Sequence, residues 1–136
     1  MKPNVLLSVY AVLAAVFCGG LLFVPGFWIA LYGGTVDPQA IALLRLVGAL
    51  FGGLAVMAWA GRNAPPSQSR DAMLLGFLVL NGLSAFVAVL IALSGVYNAF
   101  AWGPVACWGL FTVAFAVSWR DTRTPSITAP SRSAAL

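Results

Sequence analysis

The chain is 136 residues long, 62% apolar and only 7% charged, with a mean hydropathy of +0.99. Seven Lys plus Arg stand against three Asp, and there is no Glu or His. A soluble domain of this size needs a charged surface that these residues do not supply, so the solvent must be lipid. Imidazole chemistry is excluded, and so is the glutamate that commonly carries protons within membranes. No catalytic group, metal site or cofactor is therefore expected, and no nucleic-acid partner.

A hydrocarbon core of about 30 Å takes roughly 20 apolar residues of helix. Four runs of that length occur, at about 5–24, 39–60, 72–93 and 101–119. They do not alternate apolar and polar residues as barrel strands would, and backbone groups in lipid must be bonded within their own segment, which makes each run a helix. The first run closes at Pro25-Gly26. A secretory signal is the alternative for it, but the run is long for a signal core and lacks a small-x-small end. A lipoprotein site at Cys18 would have a small residue before the cysteine, where Phe17 stands.

The second run opens at Asp37-Pro38, where the carboxylate can cap a helix whose first position tolerates proline. Ser69 or Asp71 can serve the third run in the same way. The short connections make consecutive helices antiparallel and predict an all-α, up-down-up-down bundle over residues 1–120. Residues 121–136, rich in Ser, Thr, Ala and Pro, read as a disordered cytoplasmic tail. Lys2, Arg62, Arg70, Arg120, Arg123 and Arg132 all fall on one side, while the opposite loops carry Asp37 and no base. The positive-inside rule then puts both termini of a multi-pass membrane protein in the cytoplasm. Trp59 and Trp119 mark the inner interface, and Trp28, Tyr32, Tyr97 and Trp102 the outer one. The Trp-then-Arg endings of the second and fourth runs follow from that interface chemistry without a duplication.

Arg45 is the one charge inside a run, about two turns from the outer end. Burying it costs on the order of 2.5–3.5 kcal/mol at the bilayer centre and less near the interface. Its side chain either snorkels to lipid phosphate, Asp37 or helix-end carbonyls, or it forms an anion or head-group site with Trp28, Tyr32 and Trp102. Gly48 and Gly52 have close-packing spacing, and Ala11, Ala15 and Gly19 offer a matching surface on the first helix. These faces pack the first two helices together or make a homo-oligomer. Asn81 and Ser84 share one face of the third helix, where an amide can bond a neighbouring helix. Cys18 and Cys107 lie at matching depths, so a disulfide is allowed between them, although both also suit small buried positions.

Small multidrug exporters have four helices too, but they are driven by a glutamate missing here. Fluoride channels share an echo of Phe17-Cys18-Gly19-Gly20, and Leu21-Leu22-Phe23-Val24 then replaces the Thr and Ser their motif requires. The series Pro25, Leu31-Tyr32-Gly33, Asp37-Pro38, Leu44-Arg45-Leu46-Val47-Gly48, Gly52-Gly53-Leu54 and Trp59-Ala60-Gly61-Arg62 resembles the DoxX-like group of small bacterial four-helix membrane proteins. The resemblance covers about the first half of the chain. It implies a membrane bundle, with some relatives acting as subunits or accessories of membrane redox systems, and it carries over no catalytic residue. The expectation is a non-enzymatic membrane subunit or accessory that packs against a partner or itself, in a larger complex or homo-oligomer. The alternative is a binding protein or transporter for a lipophilic or anionic small molecule, such as a quinone or lipid head group, around Arg45.

Overall fold

A computed structural model describes residues 3–123. Lys2, Arg132 and the rest of the expected tail, 124–136, lie outside the described residues, as does the side chain of Arg123. The described chain is helical and contains no strand. The elements are α1 (Pro3–Phe23), α2 (Pro25–Leu31), α3 (Pro38–Gly61), α4 (Gln68–Leu93) and α5 (Trp102–Arg123), with a 3-10 turn at Ala99–Ala101 before α5. Four of these helical segments are long and apolar enough to cross a bilayer, which makes the chain a multi-pass membrane protein.

Local chemistry sets the boundaries. Val24 precedes Pro25, a position that disfavours helical backbone, and it leaves the helix at φ −130° and ψ 49°. Pro25 then starts α2, a seven-residue helix in a segment expected to be only a connection. Asp37 caps α3 as expected, its Oδ1 accepting from the Gln39 and Ala40 amides at 2.9 Å each. The cap of α4 is Ser67 rather than Ser69 or Asp71, its hydroxyl accepting from the Arg70 amide at 3.3 Å. That helix therefore begins four residues before the apolar run. At the other end of the chain α5 continues through Arg123, so residues 121–123 are helical rather than part of a disordered tail. In both cases a polar turn extends the helix past the segment that lipid requires to be apolar.

The bundle is two helical hairpins, α1 with α3 and α4 with α5, each closely packed within itself. In the first hairpin the glycines of α3 seat α1. A Cβ at Gly48 would lie 3.0 Å from the Leu21 Cβ and 3.2 Å from the Leu22 backbone nitrogen, and one at Gly52 would lie 3.0 Å from the Cys18 sulfur. The close-packing face is thus taken up inside the chain. On α1, Ala11 and Ala14 are buried, Ala15 is exposed, and nothing lies within 4 Å of a Cβ at Gly19. A strict step of four drifts about 40° around a 3.6-residue helix at each repeat, so the expected stripe Ala11, Ala15, Gly19 turns out of the contact. Because backbone stands opposite Gly48, a Gly48→Ile substitution should cost about 1–3 kcal/mol of stability, read as a lower unfolding midpoint in detergent.

The hairpins meet in the half of the bundle that carries Arg62, Arg70 and Arg120, here the basic half. Tyr10 of α1, 2% exposed, is wedged among three rings of the other hairpin. Its centroid lies 4.9 Å from Phe77, 5.0 Å from Phe111 and 5.3 Å from Phe115, with the last two edge-on. Leu6, Leu7, Ala11, Ala14, Ala58 and Leu74 complete this core. Arg62 and Arg70 tie off the end of α3: Arg62 lies over the Trp59 ring and donates to the Trp59 carbonyl, and Arg70 donates to the Ala64 carbonyl at 2.9 Å.

Candidate functional site

In the opposite half the hairpins part. α3 and α4 are consecutive in sequence, yet their backbones scarcely approach one another. Between the hairpins lies a cavity of about 880 Å³. That volume is within the range of small-molecule sites, about 300–1,000 Å³. Its floor is aromatic. Phe17 and Phe51 stack at 5.4 Å, Phe51 and Trp108 stack at 5.7 Å, and Trp28 lies 5.2 Å from Phe17. One wall is the α3 stripe Ala40, Leu43, Leu44 and Val47; the facing wall is the α4 stripe Leu83, Ser84, Val87 and Ile91. Leu43, Leu83, Val87 and Ile91 line the cavity and are also exposed, so the space opens sideways between α3 and α4 at the depth of the hydrocarbon.

A clasp crosses the top of this cavity. After α2 the chain turns at Gly33, whose φ of +78° favours glycine. Asn98, in the connection before α5, then holds the turn. Its amide nitrogen donates to the Tyr32 carbonyl at 3.2 Å, its Nδ2 donates to the Leu31 carbonyl at 2.9 Å, and its Oδ1 accepts from the Phe100 amide at 3.0 Å. Tyr32 and Tyr97 meet edge to face at 6.5 Å. Burial, and after it the neighbouring Cys107, raises the Tyr32 phenol above its ordinary value, so Tyr32 faces the cavity as a neutral hydroxyl at physiological pH. An Asn98→Ala variant loses one bond between the hairpins and the cap of the 3-10 turn. We expect faster hydrogen exchange confined to residues 29–34 and 96–101, with the unfolding midpoint lowered by no more than about 1–2 kcal/mol.

The structure distributes the sequence-derived candidates unevenly. Trp28 and Tyr32 line the cavity, whereas Arg45 and Trp102 do not. Arg45 projects from α3 roughly 140° around the helix from the stripe Ala40, Leu44, Val47, Phe51. It is exposed and makes no hydrogen bond or ion pair with any described residue. Trp102 is 50% exposed. Ser84 joins the cavity wall, but Asn81 is 1% exposed in the core and donates to the Phe77 carbonyl of its own helix at 2.7 Å. On its other side the Asn81 amide meets the Tyr10 hydroxyl of α1, across the two hairpins. Cys18 and Cys107 are free thiols, with Cys18 against Gly52 of α3.

Phe17, Phe51, Trp108, Asn98 and Gly20 are site residues that sequence reasoning missed. Gly20 carries Trp28, since a Cβ there would lie 2.5 Å from the indole nitrogen. The adjacent pair Gly19-Gly20 was a signal for close approach, but nothing in the sequence named the indole as the neighbour. Comparison with protein families, with curated proteins and with solved structures finds no match for the chain. The functional reading therefore rests on the geometry of the cavity.

Proposed function

We propose that this protein binds a lipophilic small molecule in the cavity between its two hairpins, the ligand entering sideways from the bilayer between α3 and α4. The observation that carries this reading is a space of about 880 Å³ with an aromatic floor and a lateral opening. Because the ligand leaves lipid rather than water, affinity comes from packing against the aromatic floor, and the hydroxyls of Tyr32 and Ser84 are the polar handles. The basic loops support an inner-membrane orientation with both termini cytoplasmic, which turns the opening to the outer leaflet. Binding without catalysis is favoured because the lining has no base paired with a nucleophile. The accessory-subunit reading drew on small-residue faces, and Gly48 and Gly52 spend theirs on α1.

The test is photolabelling in nanodiscs with a neutral long-chain diazirine alcohol. Labels concentrated on Val47, Phe51, Leu83, Ser84 and Trp108 support the reading. Labels spread evenly over lipid-facing positions such as Val12, Val16, Leu110 and Val113 would sink it. Arg45 lies away from this cavity, so Arg45→Leu should leave the labelling pattern unchanged.

A further inference from the structure

We infer that the cavity selects an amphiphilic organic cation, a quaternary ammonium or similar group on an apolar body. This rests on the lipophile-binding reading above and adds the sign of the head group. Among the described residues, Asp37 is the only acidic or basic side chain that lines the cavity, and no Lys or Arg does so. Its Oδ1 is engaged by the Gln39 and Ala40 amides, while its Oδ2 makes no hydrogen bond with a described residue. The same two amides would otherwise lend the α3 N-terminus to an anion, and the carboxylate has already claimed them. Asp37 is exposed at the start of α3, where an anionic head group would meet like charge and a cation would meet opposite charge.

The neighbouring rings favour the same sign. Tyr32, Tyr97 and Thr35 line the same cavity as Asp37, as do Trp28 and Trp108. Aromatic faces attract a weakly hydrated cation within about 6 Å, most strongly where water is excluded. A quaternary ammonium suits such a place because it forms no hydrogen bonds of its own that burial would break. The apolar body then occupies the floor of Phe17, Phe51 and Trp108.

The experiment uses the full chain in an uncharged detergent, with N-phenyl-1-naphthylamine as a neutral probe excited by energy transfer from tryptophan. Dodecyltrimethylammonium, dodecanol and dodecyl sulfate compete for the probe, each against wild type and Asp37→Asn. Asparagine caps helices as well as aspartate, so the fold is kept and partition into micelles cancels between the two proteins. In wild type the ammonium should displace the probe at a concentration about five- to tenfold below that of the other two, a size set by one partly exposed carboxylate and its rings. Asp37→Asn should abolish that advantage. Equal competition by all three in wild type, or an advantage that survives in Asp37→Asn, would overturn the inference while leaving lipophile binding intact. Failure of the probe to bind wild type at all would overturn both.

Discussion

A Tyr10→Ala substitution should lower stability by about 3–5 kcal/mol. Tyr10 is 2% exposed and is the ring through which α1 reaches Phe77 of α4 and Phe111 and Phe115 of α5. Each hairpin is internally well packed, but the two share few close backbone approaches. Their association therefore depends on large side chains, in this core and at the Phe51–Trp108 stack. Removing the central ring leaves a void that α4 and α5 cannot close without moving as a unit. Edge-on ring pairs add about 0.5–1.5 kcal/mol each beyond the area they bury, and two of the three contacts here are of that kind. Unfolding of the purified protein by heat or by a denaturing detergent gives the comparison. Tyr10→Phe keeps all three ring contacts and should stay within about 1 kcal/mol of wild type, so a large loss in that variant would shift the weight to the hydroxyl.

Filling the cavity should have the largest effect on binding. Val47 lies nine residues from the start of α3 and Ser84 nine residues from the end of α4. Both are thus about 13 Å from the same end of the bundle and on opposite walls. Val47 is 39% exposed and Ser84 is half-buried, so a ring at either position extends into open space rather than into packed neighbours. The double variant Val47→Phe/Ser84→Phe should weaken binding of a neutral lipophile at least about tenfold, while its unfolding midpoint stays near that of wild type. Loss of binding together with loss of fold would point to overpacking. Unchanged binding would place the ligand elsewhere on the chain.

The four spans were legible because lipid demands about 20 apolar residues, and the sequence has little else to offer. The Asp37-Pro38 start of α3 was legible for a similar reason, since a cap and a first-turn proline form a local signature. The start of α4 and the end of α5 were not. Apolar length measures the lipid-embedded part, and Ser67–Arg70 and Arg120–Arg123 extend the helices through polar turns. The short helix α2 was hidden by its proline and glycines, which read as a connection. The depth of Arg45 could be counted from the sequence, but its direction could not, because that depends on which stripe of α3 faces the other hairpin. The cavity was least legible of all. It exists because Tyr10, Phe77 and Phe115 hold the hairpins together at one end, while the leucines, valines and Ser84 of α3 and α4 do not meet at the other. No single residue announces that difference; it depends on pairs that are distant in sequence.

The most direct measurement of whether a lipophile occupies this cavity is quenching of tryptophan fluorescence by a brominated long-chain alcohol. Trp28 and Trp108 line the cavity, while Trp59, Trp102 and Trp119 do not. Wild type should show a saturable quenching component on top of the linear background from partition into detergent. In a Trp28→Phe/Trp108→Phe variant, whose smaller rings keep the lining aromatic, that saturable component should vanish and the background should remain. A saturable component carried by the other three tryptophans, or none in wild type, would contradict the account.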